Sequence, residues 1–188
     1  MPPVEFHGLR EDPVYTLAMD VPQAWLVRPQ ISHHDLDNIQ LSSLAESERS
    51  HGVEAIFSLD YLVIEGHARG TTKAPVRGLQ LQLLASGNVP VADTLVVDNL
   101  GYLQFKAKPG VFQLDIREGR GREIFELESA GNEGWHSPSV EKAGATIVLA
   151  SFEGVTIYPR FARRSGMEGE DVLDVVDQFT GFSGFMQK

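Results

Sequence analysis

The run His33-His34-Asp35-Leu36-Asp37 brings two imidazoles and two carboxylates within five residues, the right atoms for a metal ion. It can also be read as an Asp-x-Asp pair holding a divalent ion beneath phosphates. That chemistry needs the pair to end a strand of an α/β nucleotide-binding fold, where phosphates and metal meet between the carboxylates. Nothing around Asp35 has that pattern, so a plain turn is expected, with Asp37 or Asn38 hydrogen-bonding local backbone. Asp115, Glu118, Glu123 and Glu126 offer paired carboxylates of the kind that cleave glycosides. Charged, outward strand positions explain them more simply. Ser137-Pro138-Ser139 has no neighbouring base and no Gly-x-Ser-x-Gly elbow. His51, His67 and His136 lack ligand spacing and read as surface or strand histidines. No glycine-rich loop follows a strand and opens a helix. No catalytic, cofactor-binding or metal residue is therefore assigned.

A second kind of chemistry is stacking. Trp25, Trp135, Tyr61, Tyr102 and Tyr158 could build a platform for a sugar or a protein. Trp135 is the strongest member because its loop, Gly131 to His136, is otherwise polar and reads as flexible. The competing expectation is that Trp135 packs over a sheet end, and that Trp25, set among apolar residues, is core. Phe182 and Phe185 add apolar surface near the C-terminus. The candidate surface contacts are Trp135, Tyr102, Phe182 and Phe185.

The elements that must position these residues are strands. In Tyr102 to Lys108, Leu103, Phe105 and Ala107 share one face. Phe112, Leu114 and Ile116 then alternate with Val111, Gln113 and Asp115. Pro109-Gly110 joins the two runs, which read as half-buried antiparallel sheet. Strands are also expected at Val14 to Val21, Ala24 to Val27, Ile39 to Leu41, Val53 to His67, Arg77 to Leu84, Val91 to Val97, Arg122 to Leu127 and Thr146 to Phe152. The last, Val155 to Phe161, is placed at an edge by Pro159. In Val53 to His67 the apolar register changes near Asp60, so a bulge or corner is expected there. About ten short strands at this spacing indicate an all-β antiparallel sandwich with one core, to which Leu79, Leu81, Leu103, Phe105 and Phe112 belong. Residues 1–13 read as a linker and 14–164 as the sandwich domain. Residues 165–188 read as an acidic helix or linker. Within it, Glu168 to Phe179 carries Val172, Val175, Val176 and Phe179 at helical spacing.

The 188 residues, 42% of them hydrophobic, suffice for one sizeable core. A formal charge of −10 argues against nucleic acid and anionic membranes as partners. The chain has no cysteine, which excludes disulfides and thiol chemistry. MPPVEFHG does not have the pattern of a signal peptide, and no apolar run reaches membrane-spanning length. A soluble domain is expected.

Six ordered segments carry a family resemblance: TLAMDVPQAWLV from Thr16, DLDNIQL from Asp35, DYLVIEGHA from Asp60, PVRGLQLQL from Pro75, VADTLVVDNLGYLQFKAKPGVFQLDI from Val91 and IVLASF from Ile147. Together they resemble the β-sandwich region of the UDP-glucose:glycoprotein glucosyltransferase family, just before its C-terminal transferase domain. The likeness implies a parent in the endoplasmic-reticulum lumen that senses misfolded N-glycoproteins and reglucosylates their high-mannose glycans. It implies UDP-glucose and Ca²⁺ for the transferase domain and no cofactor for this segment. Asp35-Leu36-Asp37 matches a sandwich motif, not the transferase motif, so no catalytic residue is carried over. The implied role is a non-catalytic scaffold between sensor region and transferase domain, with neighbouring domains and misfolded glycoprotein clients as partners. A fainter likeness, through Asp98, Gly101, Tyr102, Phe105, Pro109-Gly110 and Phe112, is to sandwich repeats appended to carboxypeptidases and bacterial surface proteins. The alternative from another class is an autonomous carbohydrate-binding module using Trp135 or Tyr102.

Overall fold

A computed structural model of the chain describes residues 3–72, 76–97 and 100–173. Among them are the strands β1 (Val14–Tyr15), β2 (Trp25–Ser32), β3 (Ile39–Gln40), β4 (Ala55–His67), β5 (Arg69–Gly70), β6 (Gln80–Ala85) and β7 (Val89–Leu95). They are followed by β8 (Tyr102–Ala107), β9 (Gly110–Ile116), β10 (Phe125–Ser129), β11 (Thr146–Leu149), β12 (Val155–Ile157) and β13 (Arg160–Arg163). Three helices of a single turn, α1 (Glu46–Arg49), α2 (Arg120–Ile124) and α3 (Val140–Ala143), lie between strands. The fold is all-β and sandwich-like. No helix among the described residues is long and apolar enough to cross a membrane.

The chain divides into two compact units, Met1–Tyr61 and Leu62–Lys188. The break falls inside β4, within the span 14–164 that the sequence reading treats as one domain. It falls where the apolar register changes: β4 runs unbroken past Asp60, and Leu62, Val63 and Ile64 are then buried in succession. In the first unit, β1 and β3 pair antiparallel with Tyr15 opposite Ile39. β2 passes straight through Pro29, and its Arg28 pairs with Asp60 of β4.

The second unit holds most of the core. One sheet has the order β11-β9-β6-β7 and is antiparallel throughout. In it Leu81, Leu83, Phe112, Leu114, Ile147 and Leu149 are buried. A second layer sets β4 between β8 and β12, burying Leu62, Ile64, Leu103, Phe105 and Ile157. All five residues expected in the core are buried. The Pro109-Gly110 turn has a different role from the expected one. β8 pairs with β4, whereas β9 lies between β6 and β11, so the turn carries the chain from one sheet to the other. Period-2 alternation is the same for a hairpin and for such an arch, because both bury one face of each strand.

The expected final strand, Val155 to Phe161, is two strands in different sheets. β12 runs parallel to β4 and β13 runs parallel to β5, with the break at Tyr158-Pro159. Pro159 has no N–H for a ladder, which suits a corner. Its carbonyl accepts the Arg69 N–H at 3.1 Å, so both pairs of strands change sheet together. The expected strand at Arg122 to Leu127 begins one residue after the α2 turn ends. Arg122 in that turn pairs with both Glu118 and Asp115.

Residues 168–173 form turns in place of the expected helix; the remainder of that helix, 174–179, lies outside the described residues. The reason is in the hydrogen bonding. Arg163 donates to the carbonyls of Met167 and Glu170, and Arg120 donates to the Asp171 carbonyl at 2.8 Å and to the Glu170 carboxylate. Guanidinium groups thus take carbonyls that a helix would use, and a short isolated helix has little to set against them. Arg77 pairs with the Asp171 carboxylate at 2.7 Å, and Leu173 sits where a Cβ on Gly78 would be.

The Asp171 carboxyl is held below its ordinary pKa, first by the Leu173 N–H and then by Arg77. A lowered folded value means that this stabilisation is complete above the unfolded aspartate value of about 3.9 and is lost as pH falls through the folded one. An NMR titration of the Leu173 amide should therefore show its bond to Asp171 releasing only below the ordinary aspartate range. A midpoint at or above that range would show that the arginines do not clamp this segment.

Candidate functional site

The β4–β8 register sets His67 opposite Tyr102 and Glu65 opposite Gln104, and the β12–β4 register sets Thr156 opposite Glu65. Ile64 and Gly66 point into the core, so Glu65 and His67 face outward. The outer face of these three strands carries two parallel rows. One is polar and exposed: Thr156, Glu65 and Gln104. The other is aromatic. Trp135 meets Tyr158 edge-on at 4.9 Å between ring centroids, Tyr158 stacks with His67 at 6.5 Å, and His67 meets Tyr102 edge-on at 5.6 Å. Arg69 closes one end, its guanidinium 3.8 Å from the centre of the Trp135 ring. At the other end the Tyr102 hydroxyl donates a long hydrogen bond of 3.5 Å across to Glu65 in the polar row. Burial pushes the Tyr102 phenol above its ordinary pKa and the Glu65 charge adds to it, so Tyr102 remains a protonated donor.

Trp135 packs against Tyr158 and Arg69, and its loop is tied down where the sequence suggested flexibility. Arg160 donates to the Trp135 carbonyl at 2.6 Å and to the Ser137 carbonyl at 3.0 Å, and it pairs with Glu128. The Ser137 hydroxyl donates to the Gly134 carbonyl at 2.7 Å and accepts the Glu133 N–H at 2.8 Å. Gly131 has a φ of 78° and exchanges a backbone bond with Tyr158, whose N–H donates to the Gly131 carbonyl at 3.0 Å. These contacts fix the indole beside the Tyr158 ring.

The structure thus brings Trp135, Tyr102 and Tyr158 together. Tyr61, exposed on β4, and Trp25, half-buried at the start of β2 and so not the core residue expected, belong to the first unit. Phe182 and Phe185 lie outside the described residues. The histidine–aspartate run is a turn, as expected, although the capping group is Asp35, whose carboxylate accepts the Asp37 N–H at 3.1 Å. Asp115 and Glu118 share Arg122, and Glu126 pairs with Arg164 at 3.2 Å. His51 hydrogen-bonds within its own loop, to Ser50 and the Ser47 carbonyl. Sequence reasoning missed three members of the site: His67, Arg69 and Arg160. For His67 and Arg69 the available signal was alternation continuing from the end of β4 into β5, in which Glu65, His67 and Arg69 alternate with the buried Gly66 and Ala68.

A family model described as UDP-glucose:Glycoprotein Glucosyltransferase matches residues 65–174. The chain belongs to that family. Among relatives, it is 36% identical to human UDP-glucose:glycoprotein glucosyltransferase 1 over 92% of the chain and 11% of that protein's length. It is 32% identical to the Drosophila melanogaster UDP-glucose:glycoprotein glucosyltransferase over 97% of the chain and 12% of the relative. The probable UDP-glucose:glycoprotein glucosyltransferase A of Dictyostelium discoideum is 33% identical over 90% and 10%, respectively. The chain therefore spans about a tenth of the length of these glucosyltransferases. Every residue of the aromatic row lies within the span matched by the glucosyltransferase family model.

Proposed function

We propose that this chain is a non-catalytic β-sandwich segment of a glycoprotein glucosyltransferase, joining a sensor region to a transferase domain and offering surface to misfolded glycoprotein clients. The parent would act in the endoplasmic-reticulum lumen, with UDP-glucose and Ca²⁺ serving the transferase domain. The observation that carries the reading is the arginine clamp on residues 167–171: Arg77, Arg120 and Arg163 fix the course of the chain after its last described strand. A spacer between working domains needs a fixed exit of this kind. Three of the four carboxylates considered for acid–base work support the same reading, since Arg122 holds Asp115 and Glu118 and Arg164 holds Glu126.

The test is catalytic. The purified chain should transfer no glucose from UDP-glucose to a denatured glycoprotein acceptor, and calorimetric titration with UDP-glucose and Ca²⁺ should give no tight binding. Turnover, or a stoichiometric micromolar signal abolished by Asp35→Ala, would overturn the proposal.

A further inference from the structure

We infer that Arg77, Gly78 and Arg120 form a recognition seat for an acidic peptide with the pattern Asp-x-Leu, and that the chain fills this seat with its own residues Glu170 to Leu173. The inference rests on reading residues 167–171 as a fixed exit and adds that the segment is an exchangeable ligand. The two fail separately, since one is read by peptide binding and the other by glucose transfer.

Two adjacent residues read the two ends of the pattern. Arg77 donates from Nε at 3.1 Å and from Nη2 at 2.7 Å to one carboxylate oxygen of Asp171. The other oxygen accepts the Leu173 N–H at 3.0 Å, a turn that folds the leucine back beside its own aspartate. Leu173 thereby reaches Gly78, where a Cβ would lie 2.5 Å from its Cδ2 and 2.7 Å from its Cγ. The missing side chain is the hole that the leucine enters. Gly78 also has a φ of 71°, which disfavours any side chain there on backbone grounds.

Arg120 reads the residue before the aspartate. It donates to the Asp171 carbonyl at 2.8 Å and to the Glu170 carboxylate at 2.5 Å. A second close approach holds its turn against the seat: a Cβ on Gly121 would lie 2.7 Å from Cδ1 of Leu79, the neighbour of Gly78. Leu79 is fully buried, so the core fixes the seat and does not depend on the occupant. Arg163 contacts the carbonyls of Met167 and Glu170, which any sequence offers, so discrimination falls to the other three residues. The occupant itself is held by shallow contacts. Leu173 is 53% exposed, and the side chains of Arg77 and Glu170 are 53% and 47% exposed. Solvent-screened pairs of this kind hold weakly one at a time. The segment stays because it is tethered, which gives it an effective concentration in roughly the millimolar range.

The experiment empties the seat and refills it. In the complete chain carrying Asp171→Asn and Leu173→Ala together, a synthetic peptide of residues 167–173 should bind at about 0.1–1 mM. NMR shifts are expected at the Gly78 and Arg120 amides and the Arg77 side chain. The wild-type chain, its seat already filled, should bind the peptide at least about tenfold more weakly. A peptide with its leucine replaced by alanine should lose about tenfold on the emptied chain, and so should the normal peptide on an emptied chain with Arg77→Ala. Lys142→Ala, which removes an exposed cation elsewhere, should change nothing. Melting curves of each variant separate loss of the seat from loss of the fold. No saturable binding to the emptied chain up to about 10 mM overturns the inference. So does binding indifferent to both Arg77→Ala and the peptide's leucine, or equal binding by the wild-type and emptied chains.

Discussion

Phe105→Ala is expected to cost about 3–5 kcal/mol of folding stability, a large share of a typical total of about 5–15. Phe105 is fully buried on β8, opposite Ile64 of β4, and it lies between Leu103 and Ala107 on the same buried face. Across the core are the buried residues of β6 and β9, to which the chain crosses immediately after β8. The ring therefore helps hold the two sheets together beside the short turn that carries the chain between them, and removing it leaves a void. Denaturant melts of the variant, analysed at constant slope, give the loss directly. A cost under about 1 kcal/mol, the range of surface substitutions, would mean that β8 does not line the core. The same variant probes the arch at Pro109-Gly110: in a simple surface hairpin, a Phe105 cavity would loosen one sheet and not the contact between two.

How far the fold was legible follows from which signals are local. Alternation in Tyr102 to Ile116 and in Gln80 to Leu84 identified the buried faces, since burial and period are properties of one strand. Partner choice is not. Nothing within Val155 to Phe161 says that its two halves run parallel to β4 and β5, since that pairing depends on residues about ninety positions earlier in the chain. Pro159 marked a break in hydrogen bonding but not its consequence, a change of sheet. The turns at residues 168–173 of the acidic tail have a similar cause. Its helical spacing is real, but Arg120 and Arg163 take the carbonyls of Met167, Glu170 and Asp171, and Arg77 takes the Asp171 carboxylate. The aromatic site shows both limits. Trp135, Tyr102 and Tyr158 stood out by type. Their assembly through His67 required the registers of two strand pairs, and Arg160, which orders the Trp135 loop, gave no local sign.

Gly131→Ala carries the second large expectation, a loss of about 3 kcal/mol or more. Two terms combine. Gly131 has a φ of 78°, and a side chain in the left-handed region costs about 1–3 kcal/mol. In addition, a Cβ there would overlap the backbone nitrogen and carbonyl of Tyr158, atoms that cannot rotate aside as a flexible side chain can. Overpacking of this kind costs a further 1–3 kcal/mol or so. The strain has one outlet, separation of the 131–137 loop from the segment joining β12 to β13, which breaks the bond from the Tyr158 N–H to the Gly131 carbonyl. Trp135 and Tyr158 ride on those two segments. Their 4.9 Å contact should therefore open before the β6–β9 core gives way. Near-ultraviolet circular dichroism and indole fluorescence should change at lower denaturant than the far-ultraviolet signal, with the remaining sandwich unfolding later. Coincident transitions at the wild-type midpoint would show that the loop absorbs a methyl group freely, and that the Trp135 end of the row is not fixed by the close approach of Gly131 to Tyr158.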